Sequence, residues 1–92
     1  MNPSTPWNSS QTTRELVSPF GRARRRRYVD GLIDDYVTWR EACGAVAVTY
    51  EGWLAAGRED REIAFNVYSA ALDREEDAAR AYQVAVAQVA AA

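Results

Sequence analysis

Three features of this 92-residue chain have residue types that could do chemistry: an acid inside an apolar repeat, a lone thiol, and a block of arginines. Glu75 occupies a position whose repeat otherwise carries apolar side chains, which makes it a candidate buried carboxylate. A single carboxylate performs acid/base work only beside a second positioned group or a metal. His, the commonest general base and metal ligand, is missing from the chain. Glu75 is therefore expected to act structurally: it, or its neighbour Glu76, meets Arg40 across a helix seam as a buried polar pair that fixes register. Cys43 is the only cysteine, so neither an intramolecular disulfide nor a cysteine-based metal site can form. At its apolar repeat position the thiol reads as a small filler. Arg22, Arg24, Arg25, Arg26 and Arg27 form a dense cationic block that suits phosphate, a lipid headgroup or an acidic protein surface. There is no Gly-rich phosphate loop, nucleophile motif or metal-ligand spacing. The expectation is a non-enzyme with no catalytic, cofactor-binding or metal-binding residue and no cofactor.

The charge distribution narrows the possibilities. All 11 basic residues are Arg. Residues 1–27 carry six Arg against Glu15, while residues 28–92 carry five Arg against twelve acids, so a basic arm precedes an acidic body. No base-reading motif accompanies the Arg block and no second basic stripe follows it, which ranks nucleic-acid binding below protein binding. The N-terminal stretch has no apolar run long enough for a secretory signal, and nothing nears the ~20 apolar residues of a membrane span. A cytoplasmic protein is expected.

These groups must be positioned by helices, because Ala is abundant and Gly and Pro are few. Residues 1–21, rich in Ser, Thr, Asn and Pro, read as a flexible arm. Beyond it, apolar residues alternate at spacings of three and four: Val29, Leu32, Tyr36, Trp39, Cys43, Val46, Tyr50, Trp53. A second series repeats the pattern: Phe65, Tyr68, Leu72, Glu75, Ala79, Tyr82, Val86, Val89. Each is a heptad seam. The prediction is an all-α chain in which residues 22–92 form an antiparallel two-helix hairpin, with helix 1 over about 24–56, a turn over about 57–60 and helix 2 over about 60–90. Gly57 supplies the C-terminal signal of the first helix, and Asp60 an N-cap or first-turn acid for the second. A fold-back near residue 59 pairs residues whose numbers sum to about 118, such as Tyr36 with Tyr82, Tyr50 with Tyr68 and Trp53 with Phe65. All eight layers then find mates, and loop position and heptad register agree independently.

One seam cannot cover all the apolar residues. Ile33, Val37 and Leu54 on the first helix, and Ile63, Val67 and Val84 on the second, are left for a further partner. Ala71 and Ala78, in an Ala series repeating every seven residues, offer a small-residue face where helix axes approach closely. A chain this short also has a thin core. Dimerisation into a four-helix bundle through these surfaces is expected.

The segments YVTWREACGAVAVTYEGWLAA, residues 36–56, and AFNVYSAALDREEDAARAY, residues 64–82, resemble the WRxAC and ALDREExAA patterns of small Ala- and Arg-rich helical-hairpin proteins of actinobacteria and their phages. A likeness to the WXG secretion proteins fails, because Trp53 is followed by Leu54 and Ala55 with no Gly two positions on. The first resemblance implies an actinobacterial or phage origin and a cytoplasmic protein directed at a host or cellular protein. A coiled-coil target such as the division protein DivIVA would suit it. The rival expectations are a nucleic-acid-associated protein using Arg22–Arg27, and a phage structural subunit.

Overall fold

The computed structural model describes residues 19–92 and is helical apart from one turn. Helix α1 spans Pro19–Ala55 and helix α2 spans Arg61–Ala91. Pro19 suits a helix start, since the missing N–H is one the first turn leaves unbonded anyway. Residues 19–21, expected in the arm, are thus already helical; the rest of the proposed arm lies outside the described residues.

The reversal is closed by backbone hydrogen bonds. The Ala56 N–H donates to the Trp53 carbonyl at 3.3 Å, and the Asp60 N–H donates to the Gly57 carbonyl at 3.1 Å. Gly57, the expected C-terminal signal of α1, follows the helix end closely, and no described glycine has a positive φ. The tight i→i−3 bond at Ala56 satisfies the helix end without it. Asp60 does precede α2, but its side chain makes no capping bond; its carbonyl accepts the Ala64 N–H at 2.9 Å. Glu62 supplies the favourable negative charge in the first turn of α2.

The helices pack against each other in the expected register. Tyr36 meets Tyr82, Tyr50 meets Tyr68 and Trp53 meets Phe65, with ring centroids 5.2–5.6 Å apart. The rotation of each helix about its axis differs from the expectation. Among the described residues the buried side chains are Ala42, Ala71, Ala78 and Ala85, whereas Tyr36, Tyr50, Phe65, Leu72 and Val86 are 40–45% exposed. One seam series in each helix keeps its place: Leu32, Trp39, Val46 and Trp53 in α1, and Tyr68, Glu75, Tyr82 and Val89 in α2, all half-buried. The other series is taken by small residues, Ala42, Thr49 and Ala56 facing Ala64, Ala71, Ala78 and Ala85. Adjacent heptad positions differ by about 50° around a helix of 3.5 residues per turn, so both helices are turned by roughly that angle. Small side chains allow close axial approach, and the bulky rings beside them then stack across the joint on one side.

The two helices differ in length. With α2 ending at Ala91, the register carries residues 19–26 of α1 past the end of α2. This overhang is about 12 Å long at 1.5 Å per residue.

Candidate interaction surface

The Ala-centred joint divides the hairpin into two unlike flanks. On one, the seven-residue repeat aligns Tyr36, Cys43 and Tyr50 of α1 beside Phe65, Leu72, Ala79 and Val86 of α2. Ring contacts tie the two halves together. Near the turn, Trp53 stacks on Tyr68 at 5.6 Å and 12°, with Tyr50 and Phe65 packed at their edges. Further along, Trp39 stacks on Tyr82 at 5.6 Å and 5°, with Tyr36 against both. Such pairs contribute about 0.5–1.5 kcal/mol each beyond their burial, so they hold the joint as well as line the face. Ile33 and Leu54, one helical step outward, extend this face and are 54% and 61% exposed.

The other flank is shallow. Thr38, Glu41, Ala42, Ala45 and Arg74 line an open groove there. Of the residues singled out from sequence, Ile63, Val67 and Val84 are exposed on this side of α2, and Val37 is exposed on the back of α1. They do not join Ile33 and Leu54 in one patch. Ala71 and Ala78, expected on a docking face, are buried inside the hairpin because the close axial approach runs through them. Tyr36, Tyr50, Phe65, Leu72 and Val86, assigned to the core by spacing, are the residues the face exposes.

Glu75 also finds a different partner. Its Oε2 accepts a hydrogen bond from the Trp39 indole Nε1–H at 2.8 Å, while Arg40 is exposed and takes part in none of the salt bridges among the described residues. The expected Arg40–Glu75 pair is therefore replaced by Trp39–Glu75, and the carboxylate is half-buried. The reason is rotational: Arg40 follows Trp39 by one residue and points about 100° away from the joint. The carboxylate also explains how an indole N–H is accommodated beside an apolar seam, since such a donor needs a partner when covered. Glu75→Leu is expected to cost about 1–2 kcal/mol by leaving that N–H unmatched, and Glu75→Gln, which keeps an acceptor, less than half as much. Urea unfolding of both variants checks this; equal stability of the Leu variant and the native chain would show that the bond contributes nothing.

Arg22, Arg24, Arg25 and Arg26 of the Arg block sit on the overhang, and Arg27 lies at its inner edge. Arg22, Arg24, Arg25, Arg26 and Arg27 are all exposed, the first turn of α1 contains no acid, and Phe20 beside them is 86% exposed. Cations at a helix N-terminus oppose the macrodipole, so this end carries uncompensated positive charge. Among the described residues, the Arg with close acidic partners is Arg80, whose guanidinium is held above its ordinary pKa by hydrogen bonds to Glu76 and then Asp77 on the exposed side of α2. Cys43 is a half-buried free thiol. Among the described residues no cluster of His, Cys, Asp or Glu could hold a metal ion, and no helix is long and apolar enough to cross a membrane.

No family model matches the chain, and no curated protein or solved structure matches it either.

Proposed function

We propose that this chain is a protein-interaction module without catalytic chemistry, which docks helices on its aromatic flank and does so first with its own copies, as a four-helix bundle. Its partner in the cell would be a helical, coiled-coil type of host or cellular protein. One observation carries this reading. Ile33, Tyr36, Tyr50, Leu54, Phe65, Leu72 and Val86 share a face while remaining 40–61% exposed. Side chains of about 200 Å² each, roughly half exposed, offer on the order of 700 Å² of apolar surface, close to the ~800 Å² per partner of a standard interface. Contiguous apolar patches of that size mark interaction sites.

Light scattering on the purified chain should give twice the mass of one chain at micromolar concentration. Leu54→Glu should raise the dissociation constant at least about thirtyfold, the ~2 kcal/mol of an interface hot spot. Helicity should be unchanged, since Leu54 is 61% exposed. Val48→Glu, on the opposite side and 70% exposed, should leave association as it was. A strict monomer at tens of micromolar, or equal effects of the two substitutions, would remove the self-association.

The Arg overhang supports a second reading, contact with nucleic acid. It predicts binding to duplex or single-stranded nucleic acid that weakens steeply with salt and disappears when Arg24, Arg25, Arg26 and Arg27 are changed to Ala. A gel shift at two salt concentrations decides it. No shift at the lower salt would discard this reading and leave an acidic protein surface as the counterpart of the block.

A further inference from the structure

Resting on the self-association proposed above, we infer that the second copy lies antiparallel to the first, across a two-fold axis that passes beside Cys43 of α1 and between Glu75 and Glu76 of α2. The face itself points to this axis. In α1 its large residues fall symmetrically about Cys43: Tyr36 and Tyr50 lie seven residues to either side, with Ile33 and Leu54 at the two ends. In α2 the repeat is centred on the 75/76 step: Phe65 and Val86 lie at the two ends, and Leu72 and the small Ala79 flank the centre. The hairpin register pairs residues summing to about 118, so these two centres stand at one level along the molecule. Both helices thus specify the same axis independently. A face repeated about its own centre is what an isologous contact requires, because residue i meets j where j meets i.

Such an axis sets α1 against α1 and α2 against α2. Tyr36 of one copy then meets Tyr50 of the other at both ends, and the small centre, Cys43 with Ala47 and Ala79 nearby, lets the helices come closest at the axis. At the overhangs, charge favours this arrangement over the parallel one. With the hairpins parallel, both overhangs share one end and bring the two Arg22–Arg27 blocks side by side. With them antiparallel, the blocks are about 57 Å apart at 1.5 Å per residue, several Debye lengths. Each block then extends past the turn of the other copy, where Glu59, Asp60 and Glu62 are exposed.

The test uses the full-length chain with two readouts beside the light-scattering mass. In the native chain, mild oxidation with diamide should convert most of the dimer to a covalent form through Cys43, and Cys43→Ser should abolish this. In the Cys43→Ser background, spin labels on Arg58→Cys report the distance between turns: the inference expects about 45 Å, from 30 residues at 1.5 Å. A dimeric mass with turn labels within ~20 Å would mean parallel hairpins and overturn the inference while the self-association stands. Distant turn labels with no Cys43 cross-link would move the axis away from Cys43 and overturn its placement. A monomeric mass would remove both readings together.

Discussion

Replacing Ala71 and Ala78 together with Leu is expected to destabilise the hairpin by about 2–6 kcal/mol, because overpacking a closed joint costs roughly 1–3 kcal/mol per site. The two side chains are 3% and 8% exposed and lie in the buried joint between the helices. Leu at either position must push the helices apart, and the stacked pairs Trp39–Tyr82 and Trp53–Tyr68 would separate with them. By the ordinary rule that a larger apolar residue strengthens a heptad seam, the same substitutions would be stabilising, so the sign of the effect separates the two packings. Ala70→Leu with Ala87→Leu provides the control, since both positions are exposed and should change stability by less than about 0.5 kcal/mol. Urea unfolding at one fixed chain concentration reads both, the concentration being held because association adds to apparent stability. Increased stability of the Ala71/Ala78 variant would mean that Ala does not form the joint.

Replacing Gly31, Gly44 and Gly52 together with Ala should stabilise the hairpin by about 1.5–3 kcal/mol, since a mid-helix Gly costs about 0.5–1 kcal/mol relative to Ala. All three lie inside α1, none has a positive φ, and a β-carbon built at each meets nothing within 4 Å. The gain comes mainly from the unfolded chain, which loses freedom it no longer has to give up on folding. At 4–8 °C per kcal/mol for a domain of this size, the melting temperature should rise by roughly 10 °C or more. Gly44 lies on the outer side of α1, whereas Gly31 and Gly52 border the small-residue flank. Single variants therefore carry extra information. Stabilisation at Gly44 with destabilisation at Gly31 or Gly52 would show that something rests against that flank in solution, and would displace the aromatic face as the main contact.

The aromatic flank and the overhang bear differently on function. The flank is broad and exposes a row of apolar side chains, which favours a helical partner. The overhang is narrow and cationic, and Arg22, Arg24, Arg25 and Arg26 lie past the end of α2 in the register. An antiparallel pair of hairpins would present one such block at each end of the bundle. The two surfaces can therefore act at once, the flank in assembly and the ends in contact with an acidic protein or a polyanion.

The sequence by itself determined the helices, the place of the reversal and the register. Heptad spacing is local, a five-residue connection forces neighbours to be antiparallel, and the two together leave one pairing, which Tyr36–Tyr82, Tyr50–Tyr68 and Trp53–Phe65 follow. Tertiary packing decided which of two adjacent series faces inward. The series of Tyr36, Cys43 and Tyr50 and that of Ala42, Thr49 and Ala56 repeat every seven residues alike, about 100° apart on either side of the Trp39–Trp53 series, and periodicity does not separate them. Closeness of approach does: with Ala on both sides the backbones come near enough for Trp39 and Trp53 to stack on the opposite helix. That same rotation takes Arg40 away from Glu75 and gives the carboxylate to the Trp39 N–H. It also moves a row of large side chains from the core onto the surface, where the proposed function resides.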